Sequence, residues 1–77
     1  LVQNGRELYN EGHYEKAFEF FEKAASLGDA VALYNLGCLY ENGEGCKENI
    51  FKAFECYQKS MELGNTDAMV NLASLYE

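Results

Sequence analysis

The sequence predicts an all-α solenoid of antiparallel helix pairs, and three observations carry that prediction. Residues 16–41 and 52–77 are identical at thirteen positions when shifted by 36, among them Lys16/Lys52, Ala17/Ala53, Gly28/Gly64, Asn35/Asn71 and Leu36/Leu72. Apolar residues recur at helical spacing almost throughout, with no proline, low-complexity tract or linker. The pattern breaks at Gly12, at Gly28-Asp29, at Gly43-Glu44-Gly45 and at Gly64-Asn65, which leaves five helices. A unit of this length cannot bury its own apolar face and must stack on a neighbour. Function is therefore expected in the groove that stacking creates, as binding rather than chemistry.

Helices are expected at about 1–11, 14–27, 30–42, 50–63 and 66–77. The first ends before Gly12 and His13, and His13, the sole histidine, reads as a turn or cap residue rather than a catalyst or ligand. The second presents Ala17, Phe18, Phe21, Ala24 and Leu27 on one face, small residues alternating with large ones so that a neighbour can interdigitate. Gly28 ends that helix without steric cost, and Asp29 caps the third. Asn49 is placed to cap the fourth, which presents Ala53, Phe54, Tyr57 and Leu63. Gly64 repeats the stop signal, with Asn65 or Thr66 to cap the fifth helix. That last segment still carries Met69, Leu72, Leu75 and Tyr76, where a terminal unit of a solenoid would be polar. The chain is accordingly read as a piece of a longer array: a partial repeat at 1–28, a complete repeat at 29–64 and a partial repeat at 65–77. Self-association through the exposed terminal helix is an expected use of the apolar face left over.

The chain has 77 residues, and a domain of this size buries only about 60% of its unfolded surface. Its net charge of −7 argues against nucleic acid or an anionic membrane as partner, because both require basic patches. The acidic balance favours neutral or basic peptides. No apolar run reaches the roughly 18 residues of a membrane-spanning helix. Three cysteines, Cys38, Cys46 and Cys56, are an odd number, which argues against a complete disulfide framework and favours a reducing compartment such as the cytoplasm.

At Leu36-Gly37-x-x-Tyr40-x-x-Gly43-x-Gly45, then Lys52-Ala53-x-x-x-x-Tyr57-x-Lys59 and Leu63-Gly64-Asn65-x-x-Ala68, the chain resembles a Sel-one-like repeat, a relative of the tetratricopeptide repeat. The resemblance covers essentially the whole chain and implies a right-handed α/α superhelix. Gly5 to Ala17 spans 12 residues against 16 from Gly37 to Ala53, so the first unit has the short tetratricopeptide turn and the second the longer loop. Where the family usually has Val and Asp in that loop, this chain has Cys46 and Asn49, which keep the roles of apolar plug and helix cap. Secreted bacterial members staple their repeats with disulfides. The matching positions here are Ala25 with Ala32 and Met61 with Ala68, so the resemblance gives no support to a stapled form.

The resemblance also implies that the first helix of each unit lines the concave face. Matching positions are Val31, Tyr34, Asn35, Cys38, Glu41 and Asn42, with Arg6, Tyr9 and Asn10 on the preceding helix and Asp67, Val70, Asn71 and Ser74 on the following one. An exposed stripe of ring, amide and charge suits recognition of a protein or peptide segment. Asn35 and Asn71 fall where peptide-clamping relatives use asparagine, and local packing explains an asparagine before Leu-Gly equally well. With only Arg6 nearby, a clamp for a terminal carboxylate lacks its basic residues. Cys38 has no basic neighbour in sequence and reads as a packing cysteine. The Gly43–Lys47 loop lacks the ending of a phosphate-binding loop and the acidic spacing of a calcium loop, and reads as a structural turn. No paired acid and base, metal cluster or activated nucleophile is legible, and no cofactor is expected. The reading is a non-enzymatic interaction module acting as adaptor or scaffold, with a structural spacer or self-association unit as the alternative.

Overall fold

The computed structural model describes residues 2–75. It contains five helices: α1 (Val2–Asn10), α2 (Tyr14–Ser26), α3 (Ala30–Asn42), α4 (Ile50–Glu62) and α5 (Asp67–Leu75). The expected segments agree with these to within two residues where they can be compared. Leu1, Tyr76 and Glu77 lie outside the described residues.

Local chemistry sets each boundary. Asp29 Oδ1 accepts hydrogen bonds from the Val31 and Ala32 amides at 2.9 and 3.0 Å, which satisfies donors that the first turn of α3 leaves free. Asn49 does the same for Lys52 at 3.1 Å, and Asn65, rather than Thr66, accepts from the Asp67 amide at 3.0 Å. His13 occupies the N-cap of α2 without a capping side-chain bond. Helices α2 and α4 end alike. The Asp29 amide reaches back to the Ala24 carbonyl at 3.3 Å and the Gly28 amide to Ala25 at 2.9 Å, while Asn65 and Gly64 reach Ser60 and Met61 at 3.0 and 2.9 Å. This double closure turns the chain through Gly28 and Gly64, whose φ values of 88° and 102° are costly for a residue with a Cβ.

Each helix packs on the next in sequence, α3 on α4 most extensively. Two connected cores result. Ala17, Phe21, Ala24, Ala32, Leu33, Leu36, Leu39 and Cys56 form one, and Ala53, Tyr57, Ala68 and Leu72 the other. Tyr40 packs against both, so α3 is held from two sides. Phe18 meets the Tyr40 ring edge-on with centroids 5.3 Å apart. Two expected core positions are corrected: Leu27 is 79% exposed and Leu63 is 55% exposed. Both lie at the C-caps, where the backbone leaves helical geometry and the spacing no longer projects a side chain onto the packed face. Ser60, by contrast, is fully buried and donates its hydroxyl to the Ala30 carbonyl at 2.6 Å, tying α4 to the start of α3.

Candidate functional site

Helices pack closely where a glycine faces a ring. A Cβ on Gly5 would stand 2.7 Å from Phe21 Cε1, and one on Gly37 would stand 2.6 Å from Tyr57 Cε1. The two glycines therefore put α1 on α2 and α3 on α4 in the same register, with Phe21 and Tyr57 as equivalent rings. With that register, Arg6 on α1 matches Cys38 on α3, Tyr9 matches Glu41, and Asn35 on α3 matches Asn71 on α5.

In the α3–α4–α5 half, the Tyr57 hydroxyl is a junction. It donates to Glu41 Oε1 at 2.8 Å and accepts from Asn71 Nδ2 at 3.3 Å, with Cys38 Sγ also at 3.3 Å. A phenol has one proton, and the short contact to a carboxylate takes it. Asn71 Nδ2 lies 3.6 Å from the same sulfur. Burial, first of all, raises the Tyr57 phenol far above its ordinary range and raises the Cys38 thiol as well. Burial likewise pushes Cys56 up to about 11, so these groups stay protonated near neutral pH.

The α1–α2–α3 half has the same frame without the hydroxyl. Arg6, Tyr9, Asn10, Phe21, Asn35, Cys38 and Leu39 line a pocket of about 270 Å³ between α1 and α3. Asn35 Nδ2 is buried here and finds no acceptor, alone in this among the buried side-chain nitrogens and oxygens of the described residues. Tyr9 donates to Glu44, 2.9 and 3.1 Å from the two carboxylate oxygens, and that bond pushes its phenol up to about 12. Glu44 also accepts from Asn42 Nδ2 at 3.4 Å, which secures the loop after α3 against the pocket rim.

The structure separates the expected groove residues into two groups. Arg6, Asn10, Val31, Asn42, Asp67, Val70 and Ser74 are exposed, whereas Tyr9, Tyr34, Asn35, Cys38, Glu41 and Asn71 are half-buried. The continuous exposed stripe on α3 is thus corrected. Tyr34 packs against the second core, its ring 6.0 Å from that of Tyr57 on α4. Phe21, which the sequence assigned to packing, turns out to wall the pocket as well, together with Leu39.

A wider depression of about 850 Å³ lies between the α1–α2 turn and the α3–α4 loop, lined by Gly12, His13, Tyr14, Glu15, Lys16, Glu19, Gly45 and Cys46. Cys46 Sγ is 3.6 Å from the Leu39 carbonyl, the place of a plug under the loop. Among the described residues, no group of three or more His, Cys, Asp or Glu side chains is placed to hold a metal ion. No described helix is long and apolar enough to cross a membrane.

Known proteins resemble this chain over part of their length. It is 38% identical over 52 residues to "Putative beta-lactamase HcpC" of Helicobacter pylori, covering 68% of this chain and 18% of that protein. It is 42% identical over 48 residues to DAP3-binding cell death enhancer 1 of Rattus norvegicus, 62% of this chain and 9% of that one. Over 37 residues it is 49% identical to chitin synthase regulatory factor 1 of Schizosaccharomyces pombe, 48% of this chain and 8% of that one. The chain thus spans less than a fifth of the length of these relatives. The crystal structure of a Sel1 repeat protein from Oxalobacter formigenes superposes with a TM-score of 0.76 at 23% identity, over 97% of this chain and 45% of that one, which shows a shared helical-repeat solenoid. The Sel1 repeat model itself matches residues 5–29 and 30–65. With its paired helices and ring-facing glycines in that register, the chain belongs to the Sel1 repeat family, whose repeats mediate protein–protein interaction.

Proposed function

We propose that this chain is a non-enzymatic interaction module that receives an extended segment of another protein along the face formed by α1, α3 and α5, in an adaptor or scaffold role. The observation that carries this reading is the pocket between α1 and α3. Its walls are apolar at Phe21 and Leu39, its rim is polar at Arg6 and Asn10, and its buried Asn35 amide has a donor to offer. Such a mix of apolar depth and few oriented polar groups suits recognition of a peptide, where apolar contact supplies affinity and the amide supplies direction. Two of the relatives carry binding or regulation in their names, DAP3-binding cell death enhancer 1 and chitin synthase regulatory factor 1, which supports the same reading. The family's fold is typically non-catalytic, although HcpC bears an enzyme's name.

The test is affinity capture by the wild-type chain and by Arg6→Ala/Asn10→Ala, both exposed on the pocket rim, with direct binding then measured for each captured protein. Loss of a directly bound partner in the double variant supports groove recognition; equal binding by both rejects it. Tyr34 is unsuited to this role because its truncation would strip a contact from the second core. A second reading, self-association, rests on α5, where Met69 is 52% exposed and Val70 71% exposed. Sedimentation at rising concentration separates them: a monomer throughout rejects self-association.

A further inference from the structure

Phe21 and Tyr57 differ by one oxygen, and that oxygen decides what the next helix's asparagine does. In the second half, Tyr57 places its hydroxyl among Cys38, Glu41 and Asn71, all within 3.3 Å. In the first half, the matching Arg6, Tyr9 and Asn35 line one pocket with Phe21, whose ring ends in a carbon. Asn71 gives its amide hydrogen to the Tyr57 oxygen; Asn35 has no oxygen in that place to give it to. The orphaned amide thus lies at the pocket wall where the second unit has a phenol oxygen. The point that a tyrosine hydroxyl occupies in one unit carries no polar atom in the other.

We propose that the residue at positions 21 and 57 selects which groove asparagine reads a ligand. The pocket at Phe21 takes a neutral carbonyl on an apolar stem, a glutamine or asparagine side chain of the bound segment, whose oxygen accepts from Asn35 Nδ2 where Tyr57 Oη accepts from Asn71. The equivalent place between α3 and α5 is closed by the protein's own phenol. A neutral group is the match, because the acceptor that Tyr57 gives Asn71 is itself neutral, and the charges about the pocket, Arg6 in its lining and Glu44 on the Tyr9 hydroxyl, are of opposite sign and offset each other. This assignment rests on the peptide-binding reading above and names the chemistry that pocket selects.

The test is Phe21→Tyr in the whole chain, examined first without ligand. Installing the hydroxyl should give Asn35 its missing acceptor, moving its side-chain amide proton signals downfield in NMR spectra and holding or raising the melting temperature. A lower melting temperature, or unchanged Asn35 signals, overturns the equivalence. A phage-displayed random peptide library is then selected on the wild-type chain. Enriched peptides should share a glutamine or asparagine and bind Phe21→Tyr about tenfold more weakly, the loss expected for one buried hydrogen bond. Equal binding to a variant that has formed the new internal bond overturns the assignment while leaving groove recognition standing. A library that yields no binder overturns the peptide-binding reading and this assignment with it.

Discussion

Asn35 and Asn71 occupy the same place in successive units, yet one amide is spent inside the protein and the other is not. The half built on α3, α4 and α5 closes its groove with Tyr57, Glu41, Cys38 and Asn71, and adds the buried Ser60 bond to Ala30. The half built on α1, α2 and α3 has Phe21 for Tyr57 and Ala24 for Ser60, so it packs with rings and methyls alone at those points. The frame is nearly identical while the polar interior differs. In a repeat protein, stacking needs only apolar shape to be preserved, so single polar atoms are free to differ between units and to give each groove its own chemistry.

The largest effect that would break this comparison is at the shared frame. Gly37→Leu puts a side chain into the space of the Tyr57 ring, 2.6 Å from the first added carbon. It should cost about 3 kcal/mol or more, enough to remove much of the helical circular dichroism of so small a domain. Full helicity at the wild-type midpoint would mean that α3 and α4 do not approach here. Next in size, Tyr57→Phe converts the second half to the first. It leaves Asn71 without the phenol as acceptor and Glu41 without its donor, and a urea midpoint should fall by the equivalent of about 1–3 kcal/mol with an unchanged slope. Smaller again, Ser60→Ala makes the buried position match Ala24 and should cost about 1 kcal/mol; no change would show that the Ala30 carbonyl finds another donor.

The mildest prediction concerns titration. Because the hydrogen bond to Glu44 raises the Tyr9 phenol to about 12, against an ordinary value of 10.0, the neutral phenol is the form the fold favours. Whatever stability that bond supplies is fully present below pH 10 and is lost as pH rises through about 12. Glu44→Gln removes the carboxylate, and the ring-carbon NMR shift of Tyr9 should then titrate closer to the ordinary value. An unmoved midpoint would show that Glu44 does not hold the phenol.

Helix positions, caps and most of the core were legible because they depend on neighbours within four residues. Asp29 and Asn49 cap the helices that follow them, and Ala17, Phe21, Ala53 and Tyr57 are buried as their spacing requires. Leu27 and Leu63 misled, since helical spacing was carried one residue past the last helical turn. The candidate site was only half legible. Arg6, Tyr9, Asn10, Asn35 and Cys38 were named as groove residues, and they do share a pocket, whereas Tyr34 lies outside it, half-buried against the second core.

What the sequence by itself determined is the repeat and the five helices with their stops and caps, because these follow from periodicity and short-range hydrogen bonding; the family came from the likeness of its motifs to Sel1 repeats. Only the tertiary structure decided that the two groove asparagines differ. Phenylalanine and tyrosine are interchangeable in an apolar pattern, and the consequence of one hydroxyl appears only when residues from two other helices, 14 and 16 positions away in the chain, are brought within hydrogen-bonding distance of it.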